Sequence, residues 1–495
     1  MKRSSNAVDV PSLPTPSVKS VGKQALQQQM TQATTYETWA SSAQAADVLS
    51  GRDAWKLRER SNLYDHATIR ARLDQLRLLR GSGDDLGLVF ALDEGVHGNL
   101  GGMGKPVLYS KARFGTKQLI SDYLGTVADT LLYLESLPET RLPTAVKLDL
   151  FRRASLCYGR SALMLSSGGT LMYFHFGVAK ALLDQGLLPN VISGSSAGSI
   201  VASVLGSRSD DELKGFLKPE NVRFGAAWQP SLMERTTGLR RIFGSEAFEQ
   251  TFDRLIPDIT FREAFERSGR HISISVSPCE RHQTPRLLNA ITSPHVLIRS
   301  AVRASCAIPG LFEPVQLMAR DAHGHTVPYL NSRWIDGVFA ADLPAKQLAR
   351  LYGSNHYIVS YINPVLLPTF RDHKLESAWL KPLQVMLKST AQNVLKSTDV
   401  LLGKYLPASS VGAANKVAHD LLSQNYVGDI NIAPQQRLVS PLKLLSPNTD
   451  NEIAALMLEG ERQTWPRIEM VRNSSRISRT LDEILRRAGE PGHGR

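Results

Sequence analysis

The chain has 495 residues, 42% apolar and 21% charged, with 58 Lys and Arg against 46 Asp and Glu, a net charge of +12. That balance excludes a disordered or collagen-like chain and admits several domains, or one large core with appendages. The positive excess favours an anionic partner, either nucleic acid or an acidic membrane surface.

Residues 1–30, rich in Ser, Pro, Gln and Lys, read as a disordered leader. Its basic residues are followed by no apolar stretch, so no secretory signal is expected. Residues 31–150 read as mainly helical. In the stretch 61–84, Ile69, Leu73, Leu76 and Leu79 form one stripe, and the glycines from Gly81 to Gly83 end it. A second stripe, Ile120, Leu124, Val127, Leu131 and Leu134, is closed by Pro138. The texture then changes. SALMLSSGG reads as a buried strand entering glycines, LMYFHFGVAKALLDQGLL as a helix, NVISG as a strand and SAGSIVASVLGS as a helix. This alternation argues for parallel βα units. Further strands are expected at 272–277 and 356–361, and a hairpin tip at DAHGHT, 321–326. Residues 151–365 are therefore read as an α/β core, and 366–495 as a helical region. Within that region 382–406 is amphipathic, readable as a core-packing helix or as one that leans on lipid.

Cys157, Cys279 and Cys306 lie far apart and form no Cys-x-x-Cys pair, so neither a disulfide framework nor a zinc site is implied, and a reducing compartment is expected. No run of about eighteen apolar residues is present, so no spanning helix is expected. The glycines of GNLGGMGKP do not make a phosphate loop: Asn99 stands where the first glycine belongs, and Pro106 follows Lys105. Aromatic and basic residues are not interleaved as in nucleic-acid binders, which assigns the excess charge to a membrane surface.

VISGSSAGSI, 191–200, places Ser196 between an apolar strand and an apolar helix. That is the setting of a nucleophile elbow, in which Gly194 and Gly198 remove the bulk that would keep the turn open. The helix N-terminus would favour an alkoxide by about 1–2 kcal/mol. An oxyanion needs fixed N–H donors from a second loop. Gly168 and Gly169 of SSGGTL sit one βα unit earlier, on the same sheet edge. They read as that loop or as an ordinary glycine turn. A base is also required. His356, His373 and His419 have no recognisable loop setting, whereas Asp336 precedes Gly337 in RWIDGVFAADLP. An unperturbed Asp, pKa ~3.9, is a weak base for a serine unless it is desolvated and bonded directly to the hydroxyl. A plain Asp-Gly turn is the other reading.

In this order, SSGGT, GSSAGS, AVRASCAIPGLFEPV and DGVFAADLP resemble the patatin-like family of lipid acyl hydrolases. TTYETWASSAQAADVLSGRDAWK, HGNLGGMGKPVLYSKARFGTKQLI and GERQTWPRI are similar to its branch of triacylglycerol lipases from yeast and plant lipid droplets and their bacterial relatives. The resemblance runs from about residue 31 to about 485. It implies a three-layer α/β/α sandwich with a mostly parallel sheet, flanked by helical N- and C-terminal regions. It also implies a Ser–Asp dyad without histidine. Ser196 is then the nucleophile, Asp336 the base, and the backbone of Gly168, Gly169 and Thr170 the oxyanion hole. The segment 301–315 would line the pocket as a helix and loop. Leu171 stands where many patatins carry a basic residue, and His175 nearby reads as a structural helix residue. The expected activity is hydrolysis of glycerolipid esters, as a triacylglycerol lipase, a phospholipase A or both, through an acyl-enzyme. It needs no metal or organic cofactor, and takes place in the cytoplasm at a membrane or lipid-droplet surface. Acyl transfer to a lysolipid by the same dyad, or lipid binding without catalysis, are the competing readings. Lipid preference, chain-length selectivity and oligomeric state are not encoded in any motif here.

Overall fold

The computed structural model describes residues 22–223, 246–280, 283–308, 312–337, 342–363, 428–435 and 448–489. The amphipathic stretch 382–406, His373 and His419 lie outside these residues. Within them, eight strands form one sheet: β1 (Arg160–Leu165), β2 (Val191–Gly194), β3 (His271–Pro278), β4 (Arg286–Asn289), β5 (Val315–Arg320), β6 (Thr326–Asp336), β7 (Ser354–Ser360) and β8 (Ile430–Ile432). Five of them run parallel in the order β3-β2-β1-β7-β8. β4 and β6 join β3 antiparallel, and β5 pairs with β6.

The parallel strands are largely buried on both faces because helices cover both. Leu163 and Leu165 of β1 face one core with the helices Met172–Asp184 and Ala197–Gly206. Ala162 and Met164 face another with Leu348 and Tyr352 of the helix Ala345–Tyr352. The result is helix, sheet, helix. From β1 the chain steps to β2 and β3 on one side, while β7 lies on the other. The strand order therefore reverses between β1 and β7, and the crevice above their carboxyl ends is where such sheets bind ligands.

The N-terminal helices follow their stripes. Asp65 caps the helix His66–Ser82 by accepting the Thr68 N–H, and Gly83 ends it in the left-handed conformation. Ile69, Leu73 and Leu76 are buried against the stripe of the helix Gln118–Ser136. The last helix, Ile468–Arg487, adds Ile477, Leu481, Ile484 and Leu485 to this core, so the two ends of the described chain meet.

The segment limits read from sequence shift in three places. The leader expected over 1–30 gives way to a helix at Lys23–Gln32, where Leu26 and Met30, one turn apart, bury themselves beside Trp39 and Trp465. The division expected at 150 falls inside the helix Thr144–Tyr158, whose Leu150, Phe151, Ala154 and Tyr158 make one continuous buried stripe. The sheet also takes β8 from the region read as helical. Three residues are too short to show a period, but Ile430 and Ile432 are buried on β7. The hairpin tip at 321–326 is present: Asp321 accepts the N–H groups of His323 and His325 between β5 and β6. Among the described residues no helix is long and apolar enough to cross a membrane.

Candidate active site

Ser196 links β2 to the helix Ala197–Gly206 with φ 51° and ψ −120°. L-residues avoid this region, and holding one there costs about 1–3 kcal/mol. Two contacts hold it. The Ser196 N–H donates to Ser305 Oγ at 2.9 Å, and that hydroxyl donates to the Ser275 carbonyl at 2.8 Å. The turn itself closes only on glycine. A Cβ at Gly194 would strike the Gly198 carbonyl, and one at Gly198 would strike the carbonyl of Leu165. Gly198 thus brings the first turn of the elbow helix onto the end of β1. Ala at position 198 is expected to destabilise the protein by about 2–4 kcal/mol, because the obstacle is backbone that cannot swing away; urea unfolding measures it.

The chain leaving β1 forms the loop Ser166–Thr170 directly beside this turn. Gly169 has φ 58° and opens a 3₁₀ turn through Leu171. Asn448 donates to the Thr170 carbonyl at 2.9 Å. The Ser166 N–H donates to Ser360 of β7 at 3.1 Å. His175 sits behind the loop, fully buried. Nδ1 meets Ser360 Oγ at 2.6 Å and Nε2 meets the Ser166 carbonyl at 2.9 Å. Both ring nitrogens are committed to packing the loop, which leaves neither for Ser196.

Burial lowers the His175 pKa to about 4 and the His271 pKa to about 4. An unfolded histidine takes its proton near pH ~6.5, the buried ones only near 4, so the unfolded state binds more protons between those values. The stability that these two histidines carry is therefore complete above pH ~6.5 and is lost as the pH drops toward 4. His175 alone accounts for roughly 3 kcal/mol. Unfolding midpoints at pH 7.5 and 5 are expected to differ less in His175→Gln than in wild type.

Asp336 ends β6 opposite Val276 and is 1% exposed. Its N–H donates to the Ala307 carbonyl at 3.0 Å. Gly337 lies against the Ser275 carbonyl so closely that any Cβ would collide. The stretch Ser305–Ala307, which closes the helix Ile298–Ser305, therefore touches both Ser196 and Asp336. Between those two contacts sits Cys306. Its Sγ is 4.0 Å from Ser199 Oγ. Burial and then the negative charge of Asp336 push its thiol pKa far up, while the hydroxyls of Ser199 and Ser196 pull it down. The thiol is neutral and inert, and it reports that Asp336 and Ser196 share one buried neighbourhood.

His356 is at the other edge of the sheet, where its Nδ1 meets Ser161 Oγ at 3.0 Å at the start of β1. Among the described residues no three His, Cys, Asp or Glu side chains converge as a metal would require. Two residues escaped sequence reading. Ser305 lies inside the block 301–315, where nothing in the sequence distinguishes it from its helical neighbours. Asp342 accepts the Ser167 N–H from 175 positions away, a pairing no local pattern signals.

A strained serine elbow, a glycine loop at the neighbouring strand end and a buried Asp thus lie on one mostly parallel sheet. The patatin-like phospholipase family matches residues 163–349, and a domain of unknown function, DUF3336, matches residues 18–156. The chain therefore carries a patatin-like phospholipase domain over residues 163–349. It is 32% identical over 481 residues to triacylglycerol lipase SDP1L of Arabidopsis thaliana, covering 92% of this chain and 58% of that one. It is 32% identical over 493 residues to a patatin-like phospholipase domain-containing protein of Coccidioides immitis, covering 93% and 66% respectively. A protein of the same description from Lodderomyces elongisporus is 31% identical, covering 92% and 59%. The chain thus spans 58% to 66% of the length of these curated relatives.

Proposed function

We propose that the protein hydrolyses ester bonds of glycerolipids with Ser196 as nucleophile and Asp336 as base. The observation that carries this is the strained Ser196 backbone, seated by Gly198 against the end of β1 and joined to Asp336 through Ser305–Ala307. Strain of this kind persists where a hydroxyl must be presented at the tip of a turn.

In the reaction, Ser196 Oγ attacks the ester carbonyl while its proton passes to the Asp336 carboxylate. The carbonyl oxygen becomes an oxyanion, stabilised by the backbone amides of Gly168, Gly169 and Thr170 and by the positive end of the helix Ala197–Gly206. Collapse expels the alkoxide, which takes the proton from Asp336 and leaves an acyl-Ser196. Asp336 then draws a proton from water, which attacks the acyl carbonyl; collapse of the second tetrahedral intermediate frees the fatty acid and expels Ser196 Oγ, which takes that proton back from Asp336. A carboxylate can serve here because Asp336 is removed from water, which strengthens the bond it would make to the Ser196 hydroxyl proton during attack. The similarity to a triacylglycerol lipase favours neutral glycerolipid, with phospholipid as a further substrate, met at a membrane or lipid-droplet surface. The net charge of +12 supports approach to an anionic interface from the cytoplasmic side. Release of fatty acid from a triacylglycerol emulsion and from phosphatidylcholine vesicles tests the assignment. Release from either, abolished in Ser196→Ala, is expected. A folded protein that releases none from both would overturn it.

A further inference from the structure

We propose that Asp342 is a positioning residue for the oxyanion loop, tying the segment that follows Asp336 to the peptide just before Gly168. The inference rests on the serine hydrolase reading above and deepens it.

Asp342 is fully buried, in a chain where a carboxylate in that position is hard to keep ionised. Its Oδ1 accepts the Ser167 N–H at 2.8 Å, and its Oδ2 accepts from Ser167 Oγ at 3.3 Å. Asn363, just past β7, donates from Nδ2 to Ser167 Oγ at 3.1 Å and to Asp342 Oδ2 at 3.5 Å. Ser167 is thus gripped at its backbone and its side chain by groups from two other segments. Burial raises the Asp342 pKa to about 6, against the pull of these donors. The fold keeps a carboxylate there in spite of its poor solvation. A carboxylate accepts a backbone N–H about twice as strongly as a neutral oxygen does.

The need for such a grip follows from the loop's composition. Oxyanion donors act only if their N–H vectors are fixed before the charge develops. Gly168 and Gly169 lack the side chains that would fix them, so their peptide planes must be set from outside. Downstream, Asn448 holds the Thr170 carbonyl. Upstream, Ser166 is held by β7 and His175, and Ser167 by Asp342. Asp342 also lies six positions after Asp336 in the same segment, so one stretch of chain bears the base and orients the oxyanion-stabilising loop. Losing the grip leaves substrate binding nearly intact and weakens stabilisation that exists only in the transition state, which lowers kcat and not KM.

The test uses the full chain, with p-nitrophenyl butyrate as the soluble ester, on wild type, Ser196→Ala, Asp342→Ala, Asp342→Asn and Asp342→Ser. Asp342→Ala is expected to lower kcat about 10- to 100-fold with KM within about twofold. Asn, whose Oδ1 still accepts the Ser167 N–H, is expected to recover activity to within about fivefold of wild type. The Ser hydroxyl is too short to reach Ser167, and this variant is expected to follow Ala; it replaces Ala should Ala not fold. Rates of Ser196 phosphonylation by a fluorophosphonate should fall in the same order. With Ser196→Ala inactive, an unchanged kcat in folded Asp342→Ala or Asp342→Ser overturns the proposal alone, as does an Asn variant no better than Ala or Ser. An active Ser196→Ala overturns the hydrolase reading on which it rests.

Discussion

Replacing Ser196 with alanine is expected to lower ester hydrolysis by about 10⁴- to 10⁶-fold while leaving the fold intact. The residue is 8% exposed, and the backbone contacts that hold the turn, the Ser196 N–H on Ser305 and the Gly198 seat on β1, do not involve its hydroxyl. Alanine keeps the β-carbon and therefore the strain at φ 51°. Glycine at the same position relieves it, and Ser196→Gly is expected to be more stable than wild type by about 1–2 kcal/mol and equally inactive. Kinetics with a soluble ester and urea unfolding of both variants separate the two effects. Stabilisation by glycine together with inactivation by either change is the signature of a residue kept in a costly conformation for its chemistry.

Asp336→Asn is expected to lower kcat by about 10²- to 10⁴-fold, the range of a lost general base. The amide fills the same buried volume and keeps the N–H bond to Ala307, since that bond is made by the backbone. It cannot take the Ser196 proton. KM is expected to change little, because the carboxylate acts on the transition state and not on bound substrate. A variant with wild-type kcat contradicts the assignment of Asp336 as base.

Much of the core was legible because its signals are local. β1 and β2 read as short apolar runs entering small residues, and β3 and β7 as short strand patterns rich in Ile, Val and Tyr. The helices at 66–82 and 118–136 announced themselves by period and by their stop signals. The Ser196 turn was readable because strand, glycine pair and helix all lie within about a dozen positions. What stayed hidden depends on distant partners. β8 is three residues long and is a strand only because β7 offers an open edge. The helix Lys23–Gln32 buries only Leu26 and Met30, too few to outweigh a polar composition until Trp39 and Trp465 are beside it. Ser305 and Asp342 act through partners 109 and 175 positions away, and a serine or aspartate in a chain of this length carries no mark of such a pairing.

The central claim is that Ser196 is an activated nucleophile, and covalent labelling tests it most directly. Purified protein would be treated with a fluorophosphonate probe, with lipid or detergent present, and digested for peptide mass, with Ser196→Ala and Asp336→Asn alongside. The account predicts a single modified site at Ser196, absent in the first variant and formed far more slowly in the second. A folded wild-type protein that stays unlabelled, or that is labelled equally fast in Asp336→Asn, contradicts it.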